Sequence, residues 1–109
     1  MTGFDAYDVA VEIAREMRAI VVVIRRSDRS LADQTRRATQ SIGLNVAEAR
    51  GRSGADRTHA FKVALGSAQE ARGGLDQASA WGYLPAERTT KVRGLLDREV
   101  AMLWRLSGL

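Results

Sequence analysis

Few side chains in this sequence could carry out chemistry, and they do not gather into a recognisable set. His59 is the only histidine and there is no cysteine, which excludes thiolate metal sites, disulfides and the usual nucleophile–base pairs. Helical bundles that hold two metal ions need inward glutamates and Glu-x-x-His pairs, and no glutamate stands three residues before His59. His59 is therefore expected to be exposed near the start of a helix, with no metal, cofactor or small-molecule substrate implied. Asn45, Glu48, Ser67 and Glu70 fall on stretches rich in glycine and alanine. Polar groups in such places need partners and often fix the register of a bundle, so we read these four as a structural network. A catalytic pair of Glu48 and Glu70 is the competing reading. No other catalytic group supports it, and an enzyme is not expected.

The remaining chemistry belongs to arginine. Fifteen of the seventeen basic residues are arginine and the net charge is +4, a composition that suits phosphate recognition but also arises from a GC-rich genome. Arg36 and Arg37 form one basic pair, and Arg25, Arg26 and Arg29 form a cluster close by in sequence. Gly51-Arg52-Ser53-Gly54, flanked by Arg50 and Arg57, precedes a helix and could hold an anion on free backbone N–H groups. It lacks the Lys-Ser/Thr ending of a phosphate-binding loop, and an inter-helix turn with solvated arginines is the preferred reading, with a phosphate-backbone contact as the alternative. Arg36, Arg37, Arg50, Arg52 and Arg57 are the candidate nucleic-acid contacts. With aromatics at only 6%, those contacts would be to phosphates and not to stacked bases.

The elements that must position these groups are helices. Ala6, Ala10, Ile13, Met17, Ile20 and Ile24 make one helical stripe, predicting a first helix over 5–26. Residues 19–24 are apolar on all sides, so a short strand competes there, and a helix in that place would need cover from a second subunit. Ser30 is expected to cap a second helix ending near Arg50, with 27–30 as connection and Asp33 completing a near capping box. Gly43, inside it, predicts a close backbone approach or a kink. A third helix over 55–81 carries Phe61, Ala64, Ala68, Ala71, Leu75 and Ala78 on its seam, and Gly82 is placed to end it. Pro85 suits the first turn of a fourth helix, striped by Val92, Leu95, Leu96, Val100, Leu103 and Leu106. Short connections force neighbours antiparallel, so the fold class is all-α: an up-down-up-down four-helix bundle forming a single domain over 1–109. Small side chains give the core little area per residue, and association between chains would add to it. Val22, Val23, Met102 and Trp104 are the candidate oligomer contacts. Neither a signal peptide nor a membrane-spanning run is visible, so a cytoplasmic protein is expected.

Ser41-Ile42-Gly43-Leu44-Asn45-Val46-Ala47-Glu48, followed by Gly51-Arg52, resembles the Ser-Ile-Pro-Ala-Asn-Ile-Ala-Glu-Gly stretch of the four-helix-bundle proteins encoded by intervening sequences within bacterial 23S ribosomal RNA genes. Phe61, Ala64, Gly66, Ser67, Glu70 and then Gly82-Tyr83-Leu84 follow in the family's order, and Phe4-Asp5-Ala6-Tyr7 fits its aromatic-rich start. The resemblance implies a bundle that assembles as a ring, commonly a pentamer, with no established enzymatic activity. The chain is similar, more distantly, to the accessory protein of diversity-generating retroelements, a basic pentamer associated with RNA and a reverse transcriptase. Two departures stand out. Gly43 replaces the family's proline, and Ala49 and Arg50 replace the glycine and aromatic that follow the glutamate. The expected function is thus a non-enzymatic homo-oligomer that engages RNA or a ribonucleoprotein through a basic surface. The alternative is a protein-interaction scaffold that binds no nucleic acid.

Overall fold

The structure, a computed structural model, describes residues 3–109, with side chains from Asp5 onward; the side chain of Phe4, part of the aromatic start, lies outside the described residues. Four long helices run α1 (Gly3–Ser27), α2 (Arg29–Arg50), α3 (Gly54–Ala80) and α4 (Thr90–Leu106), with a 3-10 turn (Ala86–Thr89) before the last. Each packs on its chain neighbours and α4 closes back on α1, giving an antiparallel up-down-up-down bundle. Among the described residues no helix is long and apolar enough to cross a membrane.

The whole predicted stripe of α1, Ala6 through Ile24, is buried, so the β-branched run at 19–24 is helical. Only Asp28 separates α1 from α2, where the sequence predicted a four-residue connection capped by Ser30. Asp28 is the better cap because one carboxylate oxygen accepts the Leu31 N–H at 2.9 Å while the other accepts the Tyr83 hydroxyl at 3.1 Å. Asp33, the supposed capping-box partner of Ser30, is held by Arg25 at 2.6 Å instead.

α3 packs on α2 with no room for a side chain at Gly74, where any Cβ would overlap the Thr35 side chain. At Gly43, where a close approach was predicted, a Cβ would lie 3.7 Å from the Ala10 methyl, an ordinary contact. α3 ends at Ala80 with Trp81 as its cap, and the chain turns away at Gly82, whose φ of +74° is the left-handed turn a glycine makes without strain. The Tyr83 N–H then reaches back to the Ala78 carbonyl at 2.9 Å. Pro85 does not open α4. Its extended backbone leads into the 3-10 turn, which buried Thr89 fixes by donating to the Ala86 carbonyl at 2.8 Å.

Candidate binding surfaces

The polar residues singled out on α2 and α3 separate into two groups. Ser41 on α2 accepts hydrogen bonds on its Oγ from the Asn45 amide at 3.0 Å and from the Ser67 hydroxyl at 2.8 Å, tying α2 to α3; the Asn45 amide also donates to the Ser41 carbonyl. Glu48 and Glu70 take no part. Glu48 is exposed and pairs with Arg52 at 3.1 Å, and Glu70 is exposed beside the α2–α3 groove. The two carboxylates therefore share no buried site, either as network members or as a catalytic pair.

The one buried carboxylate among the described residues was not anticipated. Glu99 on α4 is 0% exposed and neither of its oxygens has a partner. Burial pushes its carboxyl up to about 8, against a weaker downward pull from Arg98. Its position was legible, since Val92, Leu96, Glu99 and Leu103 follow helical spacing and are all buried, but a charged residue type hid it. Among the described residues no group of three or more metal-ligating side chains exists, and His59 is exposed.

The five candidate arginines are all exposed, but they do not converge. Arg36 and Arg50 are fourteen residues apart on one helix, about 21 Å. Arg50, Arg52 and Arg57 lie at the α2–α3 turn, and each is turned onto its own surroundings. The Arg50 guanidinium sits over the Tyr7 ring (5.0 Å to its centroid), Arg57 sits over Phe61 (5.5 Å), and Arg52 pairs with Glu48. At the opposite end, Arg29, Arg36 and Arg37 share one face of α2 by their i, i+7, i+8 spacing, and Arg25 and Arg26 stand across the single-residue joint. The acids there are already engaged, Asp28 as cap and Asp33 by Arg25. Among the described residues Arg18, Arg26, Arg29 and Arg37 make no ion pair. This end of the bundle is an uncompensated basic surface.

The sequence profile of the 23S rRNA-intervening sequence protein family matches residues 3–105. The chain belongs to this family. The fold also superposes on a crystal structure of a protein of unknown function from the S23 ribosomal protein family of Bacteroides thetaiotaomicron, with a TM-score of 0.91 at 20% identity and full coverage of both chains. No curated protein matches. The structure explains how this member of the 23S rRNA-intervening sequence family accommodates its departures. Gly43 lies inside the unbroken α2, and the Arg50 guanidinium packs on the Tyr7 ring.

The candidate oligomer contacts divide as well. Val22 and Trp104 are 54% and 52% exposed, while Val23 is half-buried against the core. Met102 is a correction. At 3% exposure it fills the interior beside Leu103 and has no surface to offer a partner. Val22 belongs to a shallow groove between α1 and α2, floored by Ala10, Ala14 and Gly43 and bordered by exposed Leu44. Leu44, off the face that buries Ile42 and Val46, was not among the predicted contacts.

Proposed function

We propose that this protein is a non-enzymatic, self-associating helical module that engages the phosphate backbone of RNA through the α1–α2 end of the bundle. The observation that carries this reading is the gathering of Arg26, Arg29, Arg36 and Arg37 around one joint whose acids are already occupied. The three arginines at the α2–α3 turn have intramolecular partners and play a lesser part. Helices present these side chains in a fixed spacing that suits the phosphate backbone, which carries contact without base readout.

Binding of a fluorescein-labelled RNA hairpin, followed by anisotropy across a salt series, tests this. Affinity should fall steeply with salt, and the Arg26→Gln/Arg29→Gln/Arg37→Gln variant should flatten the log–log slope by about 0.7–0.9 for each phosphate it no longer neutralises. Arg52→Gln should change little. Salt-insensitive binding, or an unchanged slope in the triple variant, rejects the reading. A scaffold without nucleic-acid binding is the second reading, favoured by exposed Val22, Leu44 and Trp104. It predicts an oligomer that ignores the hairpin even at low salt.

A further inference from the structure

Aromatic rings are scarce in this chain, and most of them are covered. Phe61 is buried beside Arg57, Tyr7 lies under Arg50, and Tyr83 packs half-buried against the core. Trp81 and Trp104 are the open ones among the described side chains, 69% and 52% exposed. Trp104 stands near the end of α4 among Arg72, Asp97 and Arg105, a mixture of both charges. Trp81 lies at the opposite end of the bundle, with the arginines of the α1–α2 joint.

The register of α3 on α2 sets its level. The Ser67 hydroxyl bonds to Ser41 and Gly74 lies against Thr35, so the next seven residues of α3 carry Trp81 to about the level of Asp28. Ser67, Gly74 and Trp81 recur every two helical turns, which puts the indole on the side of α3 that faces α2. α2 starts only at Arg29, so its body does not cover the ring. The backbone beneath the ring is fixed. The Trp81 N–H donates to the Gln77 carbonyl at 2.9 Å and the Gly82 N–H to the Ser79 carbonyl at 3.0 Å, and the Tyr83 hydroxyl ties the turn to Asp28.

Charge decides the occupant. Arg29 follows Asp28 in the chain, Arg26 stands two residues before it, and neither makes an ion pair. The acids Asp28, Asp33 and Asp76 are engaged, as cap, by Arg25 and by Arg93. Glu87 in the 3-10 turn is open, with Arg88 next to it in the chain. An open ring among unpaired arginines matches a polyanion that also carries bases.

Resting on the RNA reading above, we propose that Trp81 is a stacking platform for one unpaired nucleobase, and that this end of the bundle prefers RNA with a bulge, loop or free strand to continuous duplex. A flat indole offers its face to any base and reads none by hydrogen bonding. The preference is therefore for an unpaired nucleotide and not for a sequence. Low aromatic content argues against a stacked run of bases, but one open ring is enough for one base.

Anisotropy with two fluorescein-labelled RNA duplexes, alike except that one carries a single bulged uridine, tests this at fixed salt. Wild type should bind the bulged duplex about 5-fold or more tighter, the low end of base–aromatic stacking. Trp81→Ala should bind both equally, and Trp81→Phe should keep part of the preference. The salt dependence of Trp81→Ala should match that of wild type, since an indole neutralises no phosphate. In a Trp104→Phe protein, whose remaining tryptophan is Trp81, the bulged duplex should quench emission more than the plain one. Failure of wild type to bind either duplex at low salt overturns the RNA reading, and this inference with it. Binding without preference for the bulge, or a preference that Trp81→Ala retains, overturns the stacking site and leaves the RNA reading standing. Trp81 emission unchanged by bound RNA, with a lower mass of Trp81→Ala in light scattering, assigns the ring to a protein contact and overturns the stacking site as well.

Discussion

The α2–α3 seam and the α4 side of the bundle are held by different means. Between α2 and α3 the side chains are small, Gly74 leaves no room for a Cβ beside the Thr35 side chain, and Thr35, Ser41, Asn45 and Ser67 have hydrogen-bond partners. Thr35 donates to the Leu31 carbonyl at 2.8 Å, while Ser41 gathers Asn45 and Ser67. α4 instead inserts Val92, Leu96 and Leu103, and between them a carboxylate with no partner at all. A polar group inside a bundle strengthens it only when its hydrogen bonds are complete. The first region meets that condition and the second does not, so the seam should resist disturbance by pH while the α4 side should not.

The largest effect expected from this contrast concerns Glu99. Below its ordinary value of 4.5 the carboxyl is protonated in both the folded and the unfolded chain, and its contribution is constant. Between there and about 8 the unfolded chain has lost the proton and the folded one keeps it, so stability falls as pH rises. The slope is about 1.4 kcal/mol per pH unit, on the order of 5 kcal/mol over the window, and the loss is complete above it. Glu99→Gln removes this dependence. Urea unfolding of both proteins across the window should give curves that diverge with rising pH, and parallel curves would mean that the carboxyl has a partner or water within reach.

A smaller effect of unusual sign is expected at Gly74. Glycine to alanine inside a helix ordinarily adds about 1 kcal/mol of stability. Gly74→Ala should instead cost about 1–3 kcal/mol, because the new methyl meets the Thr35 side chain. Adding Thr35→Ala should recover much of that loss in a double-mutant cycle, and additive losses would show that the two helices do not meet at this pair. The smallest effect tests whether the seam's hydrogen bonds matter individually. Ser67→Ala should cost about 1 kcal/mol in denaturant unfolding, while Glu70→Ala, on the exposed side, should stay within about 0.5 kcal/mol. Equal losses from the two would erase the distinction between them.

Helical spacing and the glycine breaks carried most of the fold in the sequence. The first stripe, the break at Gly51 and the turn at Gly82 need only the chain's local chemistry, and they lie where that chemistry puts them. What stayed hidden depended on choices between equivalent groups. Asp28 and Ser30 both offer an oxygen to cap α2, and Tyr83, fifty-five residues away, adds a bond that only Asp28 receives. Met102 looked external because it lies off the α4 stripe, yet the α4 surface facing the core is wide enough to bury it. Glu99 looked external because of its charge. The arginines were visible as residue types, but their separation into an engaged group and an unengaged one depends on Tyr7, Glu48 and Phe61, partners that spacing alone does not name.

The single-residue joint at Asp28 has a thermodynamic consequence for the arginines beside it. Arg25, Arg26 and Arg29 ride on helical backbone right up to the change of direction, not on a mobile loop. A loop that closes on a ligand gives up about 1–2 kcal/mol of backbone freedom for each residue it orders. Here that freedom was lost when the bundle folded. An anion arriving at this end would immobilise side chains only, so the ordering cost on the protein's part would be their rotamer entropy, with no backbone contribution.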